Sequence, residues 1–161
     1  MVAVDIGAGT GFWTLPLARI VGPNGAVYAV DVEPVMREEL RALADAHDLR
    51  NVQVVASDEI SIPLPDGIAD LAVAGFVLHE PADHAAFVRE IARLLKVGGR
   101  LLVVDWQKKP TEQGPLVGHR LSCEHAAALL TEAALTVEVR PSPTDDVYIL
   151  LAKREEASGR A

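Results

Sequence analysis

The sequence predicts a doubly wound α/β domain around a mostly parallel sheet. Three observations carry that expectation. Short runs rich in Val, Ile and Leu alternate with segments of helical periodicity along the chain. Several runs are apolar on both faces, as strands covered by helices on either side must be. A polar residue also stands at the carboxyl end of one run after another: Asp5, Asp31, Asp58, His79 with Glu80, and Asp105. In such sheets ligands gather at that edge, near the point where the strand order reverses. The chain has 161 residues, half of them hydrophobic and a quarter charged, which suits one domain with a substantial core.

The elements follow in order. "VAVDI" (2–6) reads as the first strand and "FWTLPLARI" (12–20) as a helix whose Pro16 falls near its first turn, where a missing N–H is tolerated. "GPNG" (22–25) is a turn and "AVYAVDV" (26–32) the second strand. Pro34 opens a helix on which Met36, Leu40, Leu43, Ala44 and His47 share a face. "NVQVVAS" (51–57) is the third strand, and "ADLAVAGFVL" (69–78) the fourth. Asp83 caps a helix with an apolar stripe of Phe87, Val88, Ile91, Leu94 and Leu95, which Gly98 and Gly99 are expected to stop. "RLLVVDW" (100–106) is the fifth strand, 107–120 a loop, and Ser122 the cap of a helix reaching about Leu135. "TVEVR" (136–140) and "VYILLAKR" (147–154) close as an antiparallel pair. The tail 155–161 is expected to be disordered.

"VDIGAGTGF" (4–12) puts glycines at alternate positions behind the first strand. A tight turn accounts for one or two of them. Three, with Asp5 two residues ahead of the first, point to a ligand lying on bare backbone. A nicotinamide dinucleotide is the rival, but its fingerprint needs a third glycine where this chain has Phe12. A carboxylate some twenty residues beyond the turn, Asp31, suits a ribose diol because it can accept two parallel hydrogen bonds.

The run Asp5-Ile6-Gly7-Ala8-Gly9-Thr10-Gly11 resembles the first motif of class I S-adenosylmethionine-dependent methyltransferases. "VYAVDVEP", "SDEISIPLPDGIADL" and "HAAFVREIARLLKVGGRLLVVDW" resemble that family's later segments in order and spacing. The resemblance implies a Rossmann-like methyltransferase fold with a mostly parallel seven-stranded sheet and an antiparallel last strand. It implies S-adenosyl-L-methionine as cofactor. Asp5 and the backbone of Gly7, Ala8, Gly9 and Gly11 would hold the methionine part, and Asp31 the ribose. Asp58 and the Glu59 amide would meet the adenine edge. Val32 and Ile60 would sandwich the ring, with Met36 a weaker candidate, and the carbonyl near Phe76 would face the amino group.

On the acceptor side stand His79 and Glu80 as candidate catalytic groups, and Trp106, His119 and Arg120 as candidate substrate contacts. A histidine ordinarily titrates near neutrality, so His79 suits a base, while Arg120 can clamp an anion or pair with Glu124. The general look is closest to the small-molecule group that includes the quinone-biosynthesis and arsenite methyltransferases. Arsenite chemistry there uses several thiolates, and this chain has one cysteine, Cys123.

The lone cysteine and the absence of a signal-like N-terminus fit a cytoplasmic setting. The net charge of −8 and the lack of a Lys/Arg run argue against nucleic acid. No apolar run is long enough for a membrane, and no residue cluster suggests a metal. Family members carry helices ahead of the first strand, which here begins at Val2. Residues 1–154 are therefore expected to be the binding domain without those cap helices, either because the chain is shortened or because a second copy or a partner supplies the lid. The leading expectation is a methyltransferase acting on a small-molecule acceptor. A cofactor-binding module without turnover of its own comes next, and an NAD(P)-dependent oxidoreductase last. Asp31→Ala is expected to weaken binding of S-adenosylhomocysteine by about 1–3 kcal/mol, read by calorimetric titration. Unchanged binding removes Asp31 from the site.

Overall fold

Val2–Ile6 forms β1, an interior strand of a seven-stranded sheet, paired in parallel with β2 (Ala26–Asp31) on one side and β4 (Ala69–Gly75) on the other. The computed structural model describes residues 1–156. Beyond β2 lies β3 (Val52–Ala56). Beyond β4 lie β5 (Leu95–Trp106), β7 (Val147–Arg154) and β6 (Leu135–Arg140), giving the order β3-β2-β1-β4-β5-β7-β6. β7 runs antiparallel to both its neighbours, β5 and β6. The chain winds outward from β1 to β3, then returns to β4, so the order reverses between β1 and β4.

Among the described residues four α-helices cover the sheet: α1 (Thr14–Val21), α2 (Pro34–Ala46), α3 (His84–Leu94) and α4 (Cys123–Glu132). The largest core cluster joins Phe87, Ile91 and Leu94 of α3 and Leu130 of α4 to Leu101 and Leu150 of the sheet. Leu17 and Ala18 of α1 pack on Val27 and Val73, and Leu40 of α2 sits with Ala8 and Ala29 under the turn after β1. The caps at Asp83 and Ser122 form as the sequence suggests, accepting the N–H groups of Ala86 and His125.

The differences have local causes. α1 begins at Thr14, because the glycine turn runs on through Gly11 before a helical turn can close. β4 stops at Gly75, where a Cβ would overlap the Trp13 indole, and Phe76 turns the chain away with φ +59°. Gly98 and Gly99 do not end α3. The helix ends at Leu94, where Arg154 donates to the carbonyls of Ala92, Arg93 and Leu95, and both glycines lie inside β5. They serve an irregularity in the β4–β5 pairing: a Cβ on Gly99 would stand 2.8 Å from the Ala69 carbonyl. α4 ends at Glu132, before Ala134 at φ +62°. His47 is exposed at the end of α2 rather than on its buried face. Of the expected tail, Glu155 and Glu156 follow β7, and residues 157–161 lie outside the described residues.

Leu40 is fully buried, and a Cβ on Gly11 would come 2.5 Å from its Cδ1, so this one side chain supports the turn from below. Leu40→Ala is expected to lower the unfolding free energy by about 2–5 kcal/mol in urea melts, with the turn loosened as well.

Candidate active site

Segments at the carboxyl ends of β1, β2, β3 and β4 meet and leave a crevice of about 460 Å³. The first is the turn after β1. A Cβ on Gly7 would lie 2.5 Å from Cγ2 of Val77, so the turn rests directly on the segment after β4. A Cβ on Gly9 would meet no protein atom within 4 Å, because that side opens on the crevice. Both have positive φ, +68° and +52°, a further reason for glycine. Ala8 and Gly11 do not line the crevice. Ala8 is buried behind it, its N–H donating to the Val30 carbonyl at 3.0 Å, and Gly11 packs on Leu40.

The second segment is the end of β2. Asp31 is 8% exposed; its Oδ2 accepts the Gly9 N–H at 2.7 Å and its Oδ1 the Glu33 N–H at 2.9 Å. Each oxygen retains a lone pair for a ligand. Arg37 donates to the Asp31 and Val32 carbonyls, which steadies the strand end without engaging the carboxylate. Val32 stands on the crevice lip, and Glu33 and Met36 line it as well.

The third segment is the loop 57–68. Asp58 and Glu59 line the crevice; the Asp58 N–H donates to Ser61, and the Glu59 N–H makes no hydrogen bond among the described residues. Ile60 does not line it; Ile62, 3% exposed, does. The substitution follows from α3. Glu90 accepts the Ile62 N–H at 2.7 Å, while Arg93 donates to the carbonyls of Ile62 and Leu64 and pairs with Asp66 and Glu90. These bonds draw the loop inward at Ile62. Nothing local in the sequence announces a clamp some thirty residues away.

Asp5 lies beneath the turn, fully buried, rather than on the crevice wall. Its Oδ2 accepts the Thr14 hydroxyl, and its Oδ1 has no partner. Burial pushes the carboxyl up to about 6, against the pull of the Thr14 hydroxyl and amide and with a small push from Asp31.

Toward β5, Phe76 lines the crevice with its φ of +59°, a left-handed conformation that is strained in a bulky residue. Its N–H donates to Val104 at 2.7 Å, and its ring packs on Trp106 at 5.2 Å. Glu80 lines the crevice, whereas His79 turns to Asp105 of β5. Burial alone would lower the His79 imidazole, but the hydrogen bond and charge of Asp105 outweigh it and raise it above its ordinary value. Partial burial pushes Glu80 up, with His79 pulling the other way.

Arg120 is neither an anion clamp nor a partner of Glu124. It is 3% exposed and donates to the carbonyls of Gln107, Lys109, Gln113 and Pro115, lying over the Trp106 ring at 5.4 Å. These bonds fold the loop 107–120 into place. His119 is exposed on a single 3-10 turn at 117–119, and Trp106, His119 and Arg120 all lie outside the crevice lining. Val77, Pro81 and Phe87 line it without having been singled out; Phe87 in particular reads as core in any helical pattern. Among the described residues no helix is long and apolar enough to cross a membrane, and no group of side chains is arranged to hold a metal.

The strand order, with its reversal between β1 and β4, and a glycine turn bonded to an acidic strand end define a doubly wound domain built to take a nucleoside-like ligand. The methyltransferase domain family matches residues 4–103, and the chain belongs to that family. The demethylmenaquinone methyltransferase of Geobacillus sp. (strain WCH70) is 32% identical over 118 residues, covering 73% of this chain and 48% of that protein. That of Listeria welshimeri is 32% identical over 102 residues, 63% of this chain and 43% of that one. The chain thus spans about half the length of these curated relatives. A SAM dependent methyltransferase from Aquifex aeolicus superposes with a TM-score of 0.89 at 30% identity, over 96% of this chain and 82% of that one. The cyclase SpnF, at 22% identity and a TM-score of 0.79 over 97% and 76%, shares the fold alone.

The raised carboxyl of Asp5 gives a pH dependence of known sign. Its protonated form favours the folded state, so that contribution is complete below the ordinary carboxylate range and is lost as pH rises through about 6. Asp5→Asn cannot lose it. Urea melts are expected to show the variant gaining up to about 3 kcal/mol on the wild type between pH 4 and 7. Parallel pH profiles for the two proteins would contradict a raised Asp5.

Proposed function

We propose that this chain binds S-adenosylmethionine and supports transfer of its methyl group to a small molecule. The observation that carries the reading is the 2.7 Å bond from the Gly9 N–H to Asp31, made beside an open crevice. It presents bare backbone and a pre-oriented carboxylate to one ligand.

The residues present fit that donor. Asp31, with a spare lone pair on each oxygen, would accept both ribose hydroxyls. The Asp58 carboxylate and the Glu59 amide would meet the adenine edge, and Val32 and Ile62 its faces. The open backbone at Gly7 and Gly9 would take the methionine part. The unpartnered Oδ1 of Asp5 suits a group that brings a positive charge close to the turn.

Bound there, S-adenosylmethionine supplies an electrophilic methyl group on a sulfonium sulfur, open to in-line displacement by an acceptor lone pair. The chain's part is to hold the two reactants together and keep water out. Positioning of that kind can supply on the order of 7–11 kcal/mol of a barrier in favourable cases. The names of the curated relatives, demethylmenaquinone methyltransferases, favour a small-molecule acceptor here. A cytoplasmic setting belongs to the same reading, as does a second copy or partner covering the crevice lip where Val32 is exposed.

Calorimetric titration with S-adenosylhomocysteine, NAD and NADP tests the proposal. Binding of the first alone is expected. Binding of NAD with no response to S-adenosylhomocysteine would overturn it.

A further inference from the structure

Donor binding leaves one buried polar pair unexplained. His79 follows β4, and its Nδ1 lies 2.8 Å from Oδ1 of Asp105 near the end of β5, with the two side chains 9% and 1% exposed. Asp105 is held by backbone before it meets the ring. Its Oδ1 accepts the Trp106 N–H at 2.7 Å and its Oδ2 the His79 N–H at 3.2 Å. A carboxylate fixed in this way accepts from the ring when Nδ1 carries the proton. The lone pair of the neutral ring then sits on Nε2, which makes no hydrogen bond among the described residues and is not sealed from solvent.

Charge around the crevice narrows what such a base could serve. Asp31, Glu33, Asp58, Glu59 and Glu80 line it, and among the described residues no Lys or Arg does. The guanidinium of Arg120 is already committed to the carbonyls of its own loop. This field disfavours an anionic acceptor and admits an uncharged one. An uncharged hydroxyl or carbon acid becomes a good nucleophile only as its proton leaves.

We infer that Asp105 is a positioning residue that sets Nε2 of His79 as the base for an acceptor entering as an uncharged weak acid, a hydroxyl or an activated carbon–hydrogen group. The inference rests on the methyltransferase reading above. The acceptor's proton passes to Nε2 as the electron pair it leaves behind takes the methyl group. The positive charge that the donor gives up on becoming a thioether therefore reappears on the imidazolium, and net charge is conserved.

The groups around His79 set its titration. Asp105 from β5 and the neighbouring Glu80 favour the imidazolium, while burial and Arg120 from the following loop oppose it. His84 of α3 places Nε2 3.5 Å from the His79 carbonyl. Tyr148 of β7, opposite Asp105 in the sheet, has a buried, unpaired hydroxyl that burial first, and then the Asp105 charge, keep neutral.

Nitrogen–proton correlation spectra of the histidine rings test the inference, recorded on the intact chain with S-adenosylhomocysteine from about pH 5 to 9. Neutral His79 is expected to carry its proton on Nδ1, with a midpoint that falls by about one pH unit in Asp105→Asn. Its Nε2 resonance is expected to respond to naphthohydroquinone, an uncharged weak acid, and not to the carboxylated analogue. With that hydroquinone and S-adenosylmethionine, Asp105→Asn and His79→Gln are expected to lower kcat roughly 100-fold. The donor KM should stay within about twofold. In Asp105→Asn the acid limb of the rate profile should also move down. A proton on Nε2, an unmoved midpoint, a preference for the carboxylate, or no loss of kcat overturns the inference. The tautomer is read in the unmodified chain, so a variant that misfolds leaves that decision standing. Failure of S-adenosylhomocysteine to bind defeats the donor reading; binding together with any overturning result defeats the His79–Asp105 inference alone.

Discussion

The bond from the Gly9 N–H to the Asp31 carboxylate is the constraint on which the rest of the site depends. It joins the end of β1 to the end of β2 across 22 residues of sequence, at the edge where the strand order reverses. A glycine turn by itself is flexible backbone with a large entropy to lose. Tied to a buried carboxylate above and to Leu40 below, it becomes a surface of fixed shape. The same carboxylate also accepts from Glu33, so one side chain orients the turn, the strand end and the start of α2.

Arginines organise the walls without entering the crevice. Arg93 draws in the loop 57–68, Arg120 folds the loop 107–120, and Arg154 satisfies the last carbonyls of α3. A planar guanidinium with five donors suits this use, since one side chain can satisfy several carbonyls from different segments. The result separates charge: positive groups hold the frame, and carboxylates face the crevice.

The shared fold of SpnF, whose name is that of a cyclase, shows why the sheet cannot decide the reaction. Phe76, His79, Asp105 and Trp106 meet where the segment after β4 passes the end of β5. The left-handed Phe76 is part of that meeting. By turning sharply after Gly75, the chain lays Val77 on the glycine turn.

Much of this was legible in the sequence, because the signals are local. Alternation of apolar runs with helical stripes sets the element order. The spacing of Gly7 and Gly9 from Asp31 marks the crevice, since a turn and the strand beside it are near neighbours in any doubly wound sheet. Other features were settled only by tertiary contacts. Ile62 rather than Ile60 faces the crevice because Glu90 and Arg93 pull the loop inward. Gly98 and Gly99 belong to a strand because β4 pairs irregularly with β5 there. Arg120 reads as a ligand clamp in a list of residues, and becomes a loop support once carbonyls from several positions converge on it. Periodicity and backbone freedom are properties of a short stretch of chain. A side chain's partner is chosen by whatever the fold brings beside it, often from far along the sequence.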